Sequence, residues 1–303
     1  MLNPIIFSIP LEKIIKTIPI KTKILSNIIP GEISTYIYNN EIEYYSEYAN
    51  SYFGITMKKG GWDCMRHYEI IANGCIPYFI NIKKCPPNTM ALWPKDLLIE
   101  GIDLYNKSFK NKDINDLTID IIDEYNLLLN KLLDYTRTHL TTRNIANYII
   151  TKAYPNQEIH NKLKILFLSG NTTPDYLRCL TLHGFKEMYG ENCHDYPKIE
   201  HIYQNVNIQY CNLYGKGITY TNLLDQNLHN NNLDKSIIND IITKTYDLII
   251  YGSYHRGMPF YDLINEIYEP NKIILLCGED IHCCQNTKYL NIGHLIFVRE
   301  LSM

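Results

Sequence analysis

The sequence lacks any long apolar run, and this absence speaks against a membrane-spanning protein. No uninterrupted apolar stretch approaches the roughly 18 residues that a membrane helix needs. The N-terminal run IIFSIP is too short for a signal peptide and has no basic flank. We therefore expect a cytoplasmic protein without a membrane span.

An excess of charge of one sign is also missing. The 303 residues include 29 Lys and Arg against 32 Asp and Glu, and no long basic block occurs. A nucleic-acid-binding surface requires clustered positive charge. The composition therefore gives no support for a nucleic-acid partner.

The cysteines and histidines do not follow a metal-binding or disulfide pattern. The nine cysteines are odd in number and scattered, which favours reduced buried thiols. Cys277, Cys283 and Cys284 lie near His282, but they do not form the two matched pairs of a structural zinc site. No G-x-S-x-G, P-loop or H-E-x-x-H motif is present. We expect no bound metal and no cofactor.

The most informative stretch that is present covers residues 51–79. SYFGITM predicts a strand, a KKGG turn then opens a helix near Trp62 or Asp63, and CIPYF predicts a second strand. Free backbone N–H groups and the positive end of the helix dipole meet at such a turn, and glycines let a phosphate approach. The pattern predicts an anion-binding unit. Its loop contacts are expected at Lys58, Gly60 and Gly61.

The predicted helix of this unit has one polar face. Arg66, Glu69 and Asn73 follow one another at helical spacing, whereas Met65 and Tyr68 occupy another face. A guanidinium can hold a diphosphate with two hydrogen bonds. One turn further on, a carboxylate can accept hydrogen bonds from ribose hydroxyls.

These residues resemble a known family. The run RHYEIIANGCIPYF is similar to the nucleotide-sugar half of GT-B glycosyltransferases, especially the exostosin-like ones, where an R-x-x-E-A helix leads to G-C-x-P-V. Ile70 stands here where Ala is usual, and Tyr78 where Val is usual. The similar part covers about residues 50–85.

The resemblance implies a metal-independent glycosyltransferase that moves a sugar from a nucleotide-sugar donor to a glycan, protein or small-molecule acceptor. It also implies that Arg66 contacts the diphosphate and that Glu69 contacts the ribose of the donor. The alternative is an exposed Arg66–Glu69 helix pair, worth about 0.2–0.5 kcal/mol, beside a structural glycine turn.

The second half of the chain predicts a parallel sheet. Apolar runs at Leu163–Leu168, 247–253 and 272–280 each lead into a glycine, and helical segments lie between them. Ligands of parallel sheets gather beyond the carboxyl ends of the strands. The loops that follow these three runs should therefore share one ligand-binding edge.

Together the two halves predict an α/β fold of two Rossmann-like domains that face a cleft, as in GT-B proteins. We place a nucleotide-sugar (donor) domain at residues 1–152 and an acceptor or catalytic domain at 162–303, with a linker at 153–161. The donor-type half comes first here, whereas it usually comes second in the family.

Three helix boundaries can also be predicted from the sequence. An apolar stripe predicts a helix over 114–133, and the hydroxyls of Thr141-Thr142 suit the start of the next one. Thr173 followed by Pro174 predicts the cap and first turn of a helix that covers Tyr176–Met188.

Glycosyl transfer with inversion also requires a base for the acceptor hydroxyl. The candidates are His255, which follows a predicted strand through a Gly-Ser turn, and Asp280 or His282. A histidine has an ordinary pKa near 6.5, which suits proton transfer at neutral pH. His255 has an equally simple alternative as a loop histidine bonded to backbone, and Asp280 as a cap of the following turn.

Two other classes of function stay open at this point. The first is a non-catalytic nucleotide- or glycan-binding protein that keeps a GT-B scaffold. The second is a dinucleotide-dependent Rossmann enzyme, although no G-x-G-x-x-G fingerprint follows the strands predicted at Leu163 or Asp247.

Overall fold

The computed structural model describes residues 2–155, 162–281 and 286–302. Within these residues the strands form two parallel sheets. The strands are β1 Leu2–Pro4, β2 Lys23–Leu25, β3 Ser51–Thr56, β4 Ile76–Phe79, β5 Ile165–Leu168, β6 Cys193–Tyr196, β7 Leu248–Tyr251, β8 Ile273–Cys277 and β9 Leu295–Val298.

The helices connect these strands and cover the sheets. They are α1 Glu41–Ala49, α2 Met65–Ala72, α3 Lys95–Leu104, α4 Ile119–His139, α5 Thr142–Ala153, α6 Tyr176–Tyr189, α7 Asn231–Ile242, α8 Tyr261–Ile267 and α9 Asn286–Ile292. No helix within the described residues combines the length and the apolar character needed to cross a bilayer.

The larger sheet has six strands in the order β1-β9-β8-β7-β5-β6. All its pairings are parallel, and every residue of β5, β7 and β8 is buried. Continuous apolar runs are required there because helices cover both faces of a parallel sheet. The predicted α/β fold is confirmed for this part of the chain, which is Rossmann-like.

The strand order of the six-stranded sheet reverses direction at β5. The chain moves outward from β5 to β6 and then returns to place β7 on the other side of β5. The loops after β5 and β7 therefore leave in opposite directions and open a crevice between them. In open parallel sheets such a switch point is the usual ligand-binding position.

The smaller sheet has three parallel strands in the order β2-β3-β4. It contains the predicted strand, turn, helix and strand unit as β3, α2 and β4. Strand β1 belongs to the predicted first half in sequence, but it pairs with β9 of the second half. The division into 1–152 and 162–303 stays a prediction, and most of the linker lies outside the described residues.

The predicted start of α5 and the predicted extent of α6 were correct, whereas the start of α4 and the cap of α6 were displaced. Thr141 caps α5 as expected, since its hydroxyl accepts from the Asn144 N–H. Helix α4 begins only at Ile119, after a 3-10 turn. Helix α6 is capped by Asp175 rather than Thr173, because the Asp175 carboxylate accepts the Arg178 N–H.

The cysteines agree with the expectation of reduced thiols. Cys75, Cys179 and Cys193 are free thiols in the interior, and Cys277 is buried as well. Cys277 lies in strand β8. The other members of the rejected zinc pattern, His282, Cys283 and Cys284, lie outside the described residues. His282 is also the third base candidate.

Helices α5 and α6 pack in close contact through a glycine, which gives the first testable prediction. A Cβ atom added to Gly184 would lie 2.1 Å from the backbone oxygen of Thr142. A backbone carbonyl cannot rotate away as a flexible side chain can, so Gly184→Ala should force the two helices apart. Overpacking of this kind costs about 1–3 kcal/mol, and we expect that loss in the free energy of unfolding measured with urea.

The matched control is Gly101→Ala in α3. Its added Cβ would lie 2.8 Å from Cγ2 of Ile76, which is a side chain that can adjust, and 3.8 Å from the nearest backbone atom. Gly101→Ala should therefore cost less than Gly184→Ala. Equal effects of the two substitutions would contradict the proposed backbone clash.

Candidate functional site

A cleft of about 1060 Å³ lies where the two sheets meet. Its walls come from the segments that follow the carboxyl ends of β1, β3, β5, β7, β8 and β9, together with α2 and the loop near residue 215. The cleft thus coincides with the switch point of the six-stranded sheet. Six of the seven predicted site residues line it, namely Gly60, Gly61, Arg66, Glu69, His255 and Asp280.

The glycine turn before α2 already holds an anion from the protein itself. The Trp62 and Asp63 N–H groups both donate to the Glu300 carboxylate at 3.0 Å. A Cβ atom on Gly61 would lie 2.5 Å from Glu300, so glycine is required for this close approach. These two backbone donors of the turn therefore face an internal carboxylate rather than a free phosphate, and phosphate binding at the turn stays a prediction.

The Glu300 carboxylate is itself held by its neighbour Arg299. Arg299 is 1% exposed and donates to Glu300, to the Asp63 carbonyl and to the Gly278 carbonyl. The same guanidinium also donates to the Asp280 carboxylate. One arginine therefore connects β9, the loop after β8 and the turn before α2.

The start of α2 has no side-chain cap within the described residues. Cys64 is the N-cap residue, and its side chain makes no capping hydrogen bond. Within the described residues, the first hydrogen bond at this end is from the His67 N–H to the Cys64 carbonyl. The N–H groups of Met65 and Arg66 precede it and are typical anion ligands at a helix N-terminus.

Arg66 points into the cleft with unused hydrogen-bond donors. Its Nε and Nη1 atoms are buried and have no partner among the described residues, although its guanidinium interacts with Tyr36. The Arg66 Cζ lies 5.9 Å from the Tyr36 ring centroid. Buried donors without a partner are costly. An anionic ligand in the cleft would satisfy them.

Glu69 lines the cleft but is not an exposed helix residue. It is 4% exposed, and its two oxygens accept from the hydroxyls of Tyr44 at 2.9 Å and Thr219 at 2.6 Å. Burial raises the pKa of Glu69, and these two hydroxyl contacts oppose that effect. The alternative of an exposed Arg66–Glu69 pair does not hold in this fold.

His255 lines the same cleft as Arg66 and comes from the loop after β7. Its Nδ1 atom is buried without a hydrogen-bond partner within the described ranges. The next residue, Arg256, donates to the Asp175 carboxylate at 2.9 Å, and Ser253 donates to the same carboxylate. Asp175 thereby fixes the loop that carries His255 to the start of α6.

Asp280 is less suited to proton transfer than His255. Its carboxylate forms an ion pair with Arg299, although the side chain is 64% exposed. A Cβ atom on Gly60 would lie 2.3 Å from this carboxylate. Asp280 thus closes one end of the cleft against the glycine turn.

Lys58 and the two tryptophans do not line the cleft. Lys58 is exposed, and its Nζ lies 6.0 Å from the Trp62 ring centroid. Trp93 is buried and donates from Nε1 to the Tyr68 hydroxyl at 2.9 Å. The predicted anion contact at Lys58 is not supported by its position, and the tryptophans pack in the protein rather than along the cleft.

Sequence reasoning missed the aromatic side chains of the cleft. Tyr176 and Tyr214 line it, and Tyr214 is 70% exposed. The adjoining Lys216 donates to the Tyr38 carbonyl at 2.7 Å, which ties this loop to the N-terminal half. The only local signal was the Gly-Lys-Gly turn at 215–217, which also occurs in ordinary loops.

Comparisons of the chain with protein-family models, with curated proteins and with solved structures found no match. The class that can be stated is therefore the one given by the fold and the site: an α/β protein with a Rossmann-like parallel sheet and a cleft at its carboxyl edge.

A second testable prediction concerns Asp63, whose carboxylate supports the wall of the cleft. It accepts the Phe7 N–H at 2.6 Å and the Tyr68 hydroxyl at 2.9 Å. Burial raises the pKa of Asp63 to about 6, with Arg299 acting in the opposite direction. The folded state therefore keeps a proton that the unfolded chain has lost above about pH 4.

The contribution of Asp63 to the free energy of unfolding should fall as the pH rises from about 4 to 6. The expected change is on the order of 2–3 kcal/mol. Asp63→Asn should lack this dependence, so urea unfolding at a series of pH values should show the variant gaining stability relative to the wild type. The control Asp123→Asn, at an exposed position of α4, should stay parallel to the wild type, and parallel curves for Asp63→Asn would contradict the assignment.

Proposed function

We propose that the protein is a glycosyltransferase that uses a nucleotide-sugar donor, with the donor diphosphate at the start of α2. The observation that carries this proposal is the pair of buried donors on Arg66 in the cleft, which have no partner in the part of the chain that the structure describes. The N–H groups at the start of the same helix add the positive end of its dipole. The resemblance of this helix to the exostosin-like donor site supports the same role.

The pairing of charges in the cleft distinguishes Arg66 from the other basic side chains. Basic and acidic side chains occur together on its walls, so the cleft as a whole is not a strong anion trap. Arg256 and Arg299 are each paired with carboxylates. Arg66 forms no salt bridge within the described residues, and its charge is available to a ligand.

The remaining donor groups can be placed next to this diphosphate. Glu69 lies one turn along α2, and each of its oxygens has a second lone pair that a ribose hydroxyl could use. Tyr214 offers an exposed aromatic face in the same cleft. The proposed arrangement is that of two Rossmann-like halves facing a donor site, as in GT-B enzymes.

In the proposed reaction His255 removes the proton of the acceptor hydroxyl. The acceptor oxygen then forms a bond to the anomeric carbon, and the bond between this carbon and the diphosphate oxygen breaks. The nucleoside diphosphate leaves as an anion, which Arg66 and the α2 dipole stabilise. No metal or cofactor takes part in these steps.

A non-catalytic nucleotide- or glycan-binding protein is the second candidate. The observation in its favour is that Asp280, a carboxylate of the cleft, is engaged by Arg299 and so is less available as a base. Release of nucleoside diphosphate from a donor sugar separates the two candidates. A nucleotide sugar selected by thermal shift from a panel should be hydrolysed slowly by the enzyme and only bound by the scaffold.

The third testable prediction is the effect of Arg66→Ala on diphosphate binding. Loss of charge-assisted hydrogen bonds costs about 1.5–3 kcal/mol, which is roughly a 10- to 150-fold weaker affinity. Calorimetry with the nucleoside diphosphate that most stabilises the wild type should show this loss. Arg66→Lys should recover only part of it, because a lysine cannot form the bidentate contact.

Lys58→Ala is the control for this experiment, since Lys58 is exposed outside the cleft. It should bind the same nucleoside diphosphate as the wild type does. An unchanged affinity in folded Arg66→Ala would remove the diphosphate from the start of α2.

The fourth prediction separates catalysis from binding at His255. His255→Ala should lower kcat by roughly 10²–10⁴-fold and leave donor affinity nearly unchanged, as expected for the loss of a general base. Initial rates with the selected donor, and its affinity measured separately, test both parts. Asp280→Asn should have the smaller effect on kcat. Full turnover by His255→Ala would exclude this residue from the mechanism.

A further inference from the structure

Two histidines and one aspartate meet at the outer edge of the six-stranded sheet, away from the cleft. His194 lies in the edge strand β6, His229 precedes α7, and Asp234 is in the first turn of α7. Both imidazoles direct Nε2 at the Asp234 carboxylate, at 3.0 Å from His194 and 3.2 Å from His229. None of the three residues lines the cleft.

The contact between His194 and Asp234 is close but is not a hydrogen bond. The His194 Nε2 and the Asp234 Oδ1 atoms are both buried, and neither has a hydrogen-bond partner among the described residues. His194 as a whole is 2% exposed. A nitrogen and an oxygen at this distance with poor hydrogen-bond alignment are arranged as ligands of a third atom.

His229 is oriented by a carboxylate on its other side. Its Nδ1 lies 3.1 Å from the Asp195 Oδ1, which also accepts from the Lys186 ammonium and the Tyr203 hydroxyl, each at 2.8 Å. These contacts fix the Nδ1 side of the His229 ring.

The Asp195 Oδ1 accepts from two other donors, so Nδ1 of His229 is placed to donate to it as well. On the other side of the ring, Nε2 forms a hydrogen bond with the Asp234 Oδ2 at 3.2 Å, and a cation could take the place of the proton in that contact. This order of carboxylate, histidine and cation is the usual support of metal-ligating histidines. Without a proton or a cation on Nε2, the lone pairs of His229 and Asp234 would repel each other.

We propose that His194, His229 and Asp234 bind one divalent cation of the zinc class. Tetrahedral bonds of about 2.0–2.1 Å place neighbouring ligand atoms roughly 3.3 Å apart, close to the two separations seen here. All the candidate ligand atoms lie within 4.8 Å of one another. Imidazole nitrogens favour zinc, cobalt or nickel over calcium and magnesium.

The bound cation would connect β6, the loop before α7 and α7 itself. The site is separate from the proposed donor chemistry, because none of its residues belongs to the cleft. The expected absence of a metal, which followed from the cysteine spacing, does not bear on this cluster. Its ligands are 35 and 5 residues apart in sequence, and no short motif contains them.

The test uses the full chain, stripped with a chelator and titrated with zinc chloride. We expect one zinc per chain by elemental analysis, a rise in Tm on zinc addition, and X-ray absorption that shows nitrogen and oxygen ligands without sulphur. His229→Ala and Asp234→Asn should each lower zinc affinity by more than about 100-fold, since loss of even a supporting residue costs 10- to 100-fold. Both should lose the rise in Tm.

Asp234→Asn tests the site even if His229→Ala fails to fold. Asp234 has a 28% exposed side chain, and asparagine has nearly the same shape, so Asp234→Asn should fold even if His229→Ala does not. His139→Asn, at an exposed position of α4, controls for zinc on surface histidines and should bind as the wild type does. Sulphur ligation, absence of zinc binding, or unchanged affinity in Asp234→Asn would overturn the proposal.

Discussion

The contact on which the rest of the site depends is that between the Glu300 carboxylate and the turn before α2. Glu300 follows the last strand of the six-stranded sheet, and its oxygens accept two backbone N–H groups from the unit that carries the smaller sheet. Hydrogen bonds to a charged group each contribute about 1.5–3 kcal/mol. Because Arg299 neutralises the same carboxylate, the charge can stay buried. This contact determines where α2 begins relative to the larger sheet.

The position of α2 in turn determines what the cleft can bind. The backbone donors of the glycine turn are used internally, so the diphosphate that we propose relies on the first N–H groups of the helix and on Arg66. Asp175 performs a similar task elsewhere in the cleft, where it holds the loop of His255 against the start of α6. Both of these parts of the cleft are therefore fixed by charge-assisted hydrogen bonds, as a preorganised site requires.

The cluster of His194, His229 and Asp234 follows the same physical rule at a different place. Asp195 and Lys186 form a buried ion pair, and the remaining acceptor capacity of Asp195 orients His229. Buried polar groups persist in a fold when each has a partner. Among the buried groups without a partner in the described residues, those of Arg66 in the cleft and of His194 at the sheet edge are the ones at which we propose a ligand.

The sequence alone determined the local elements of this protein. Apolar runs predicted β5, β7 and β8, since a strand covered on both faces must be apolar, and Thr141 predicted the start of α5. The sequence also identified a turn suited to an anion. Only the tertiary structure decided that Glu300, 237 residues away from Asp63, is that anion, that β1 joins β9, and that His229 meets His194. These contacts depend on long-range packing, and a contact between residues distant in sequence leaves no pattern in the residues around either partner.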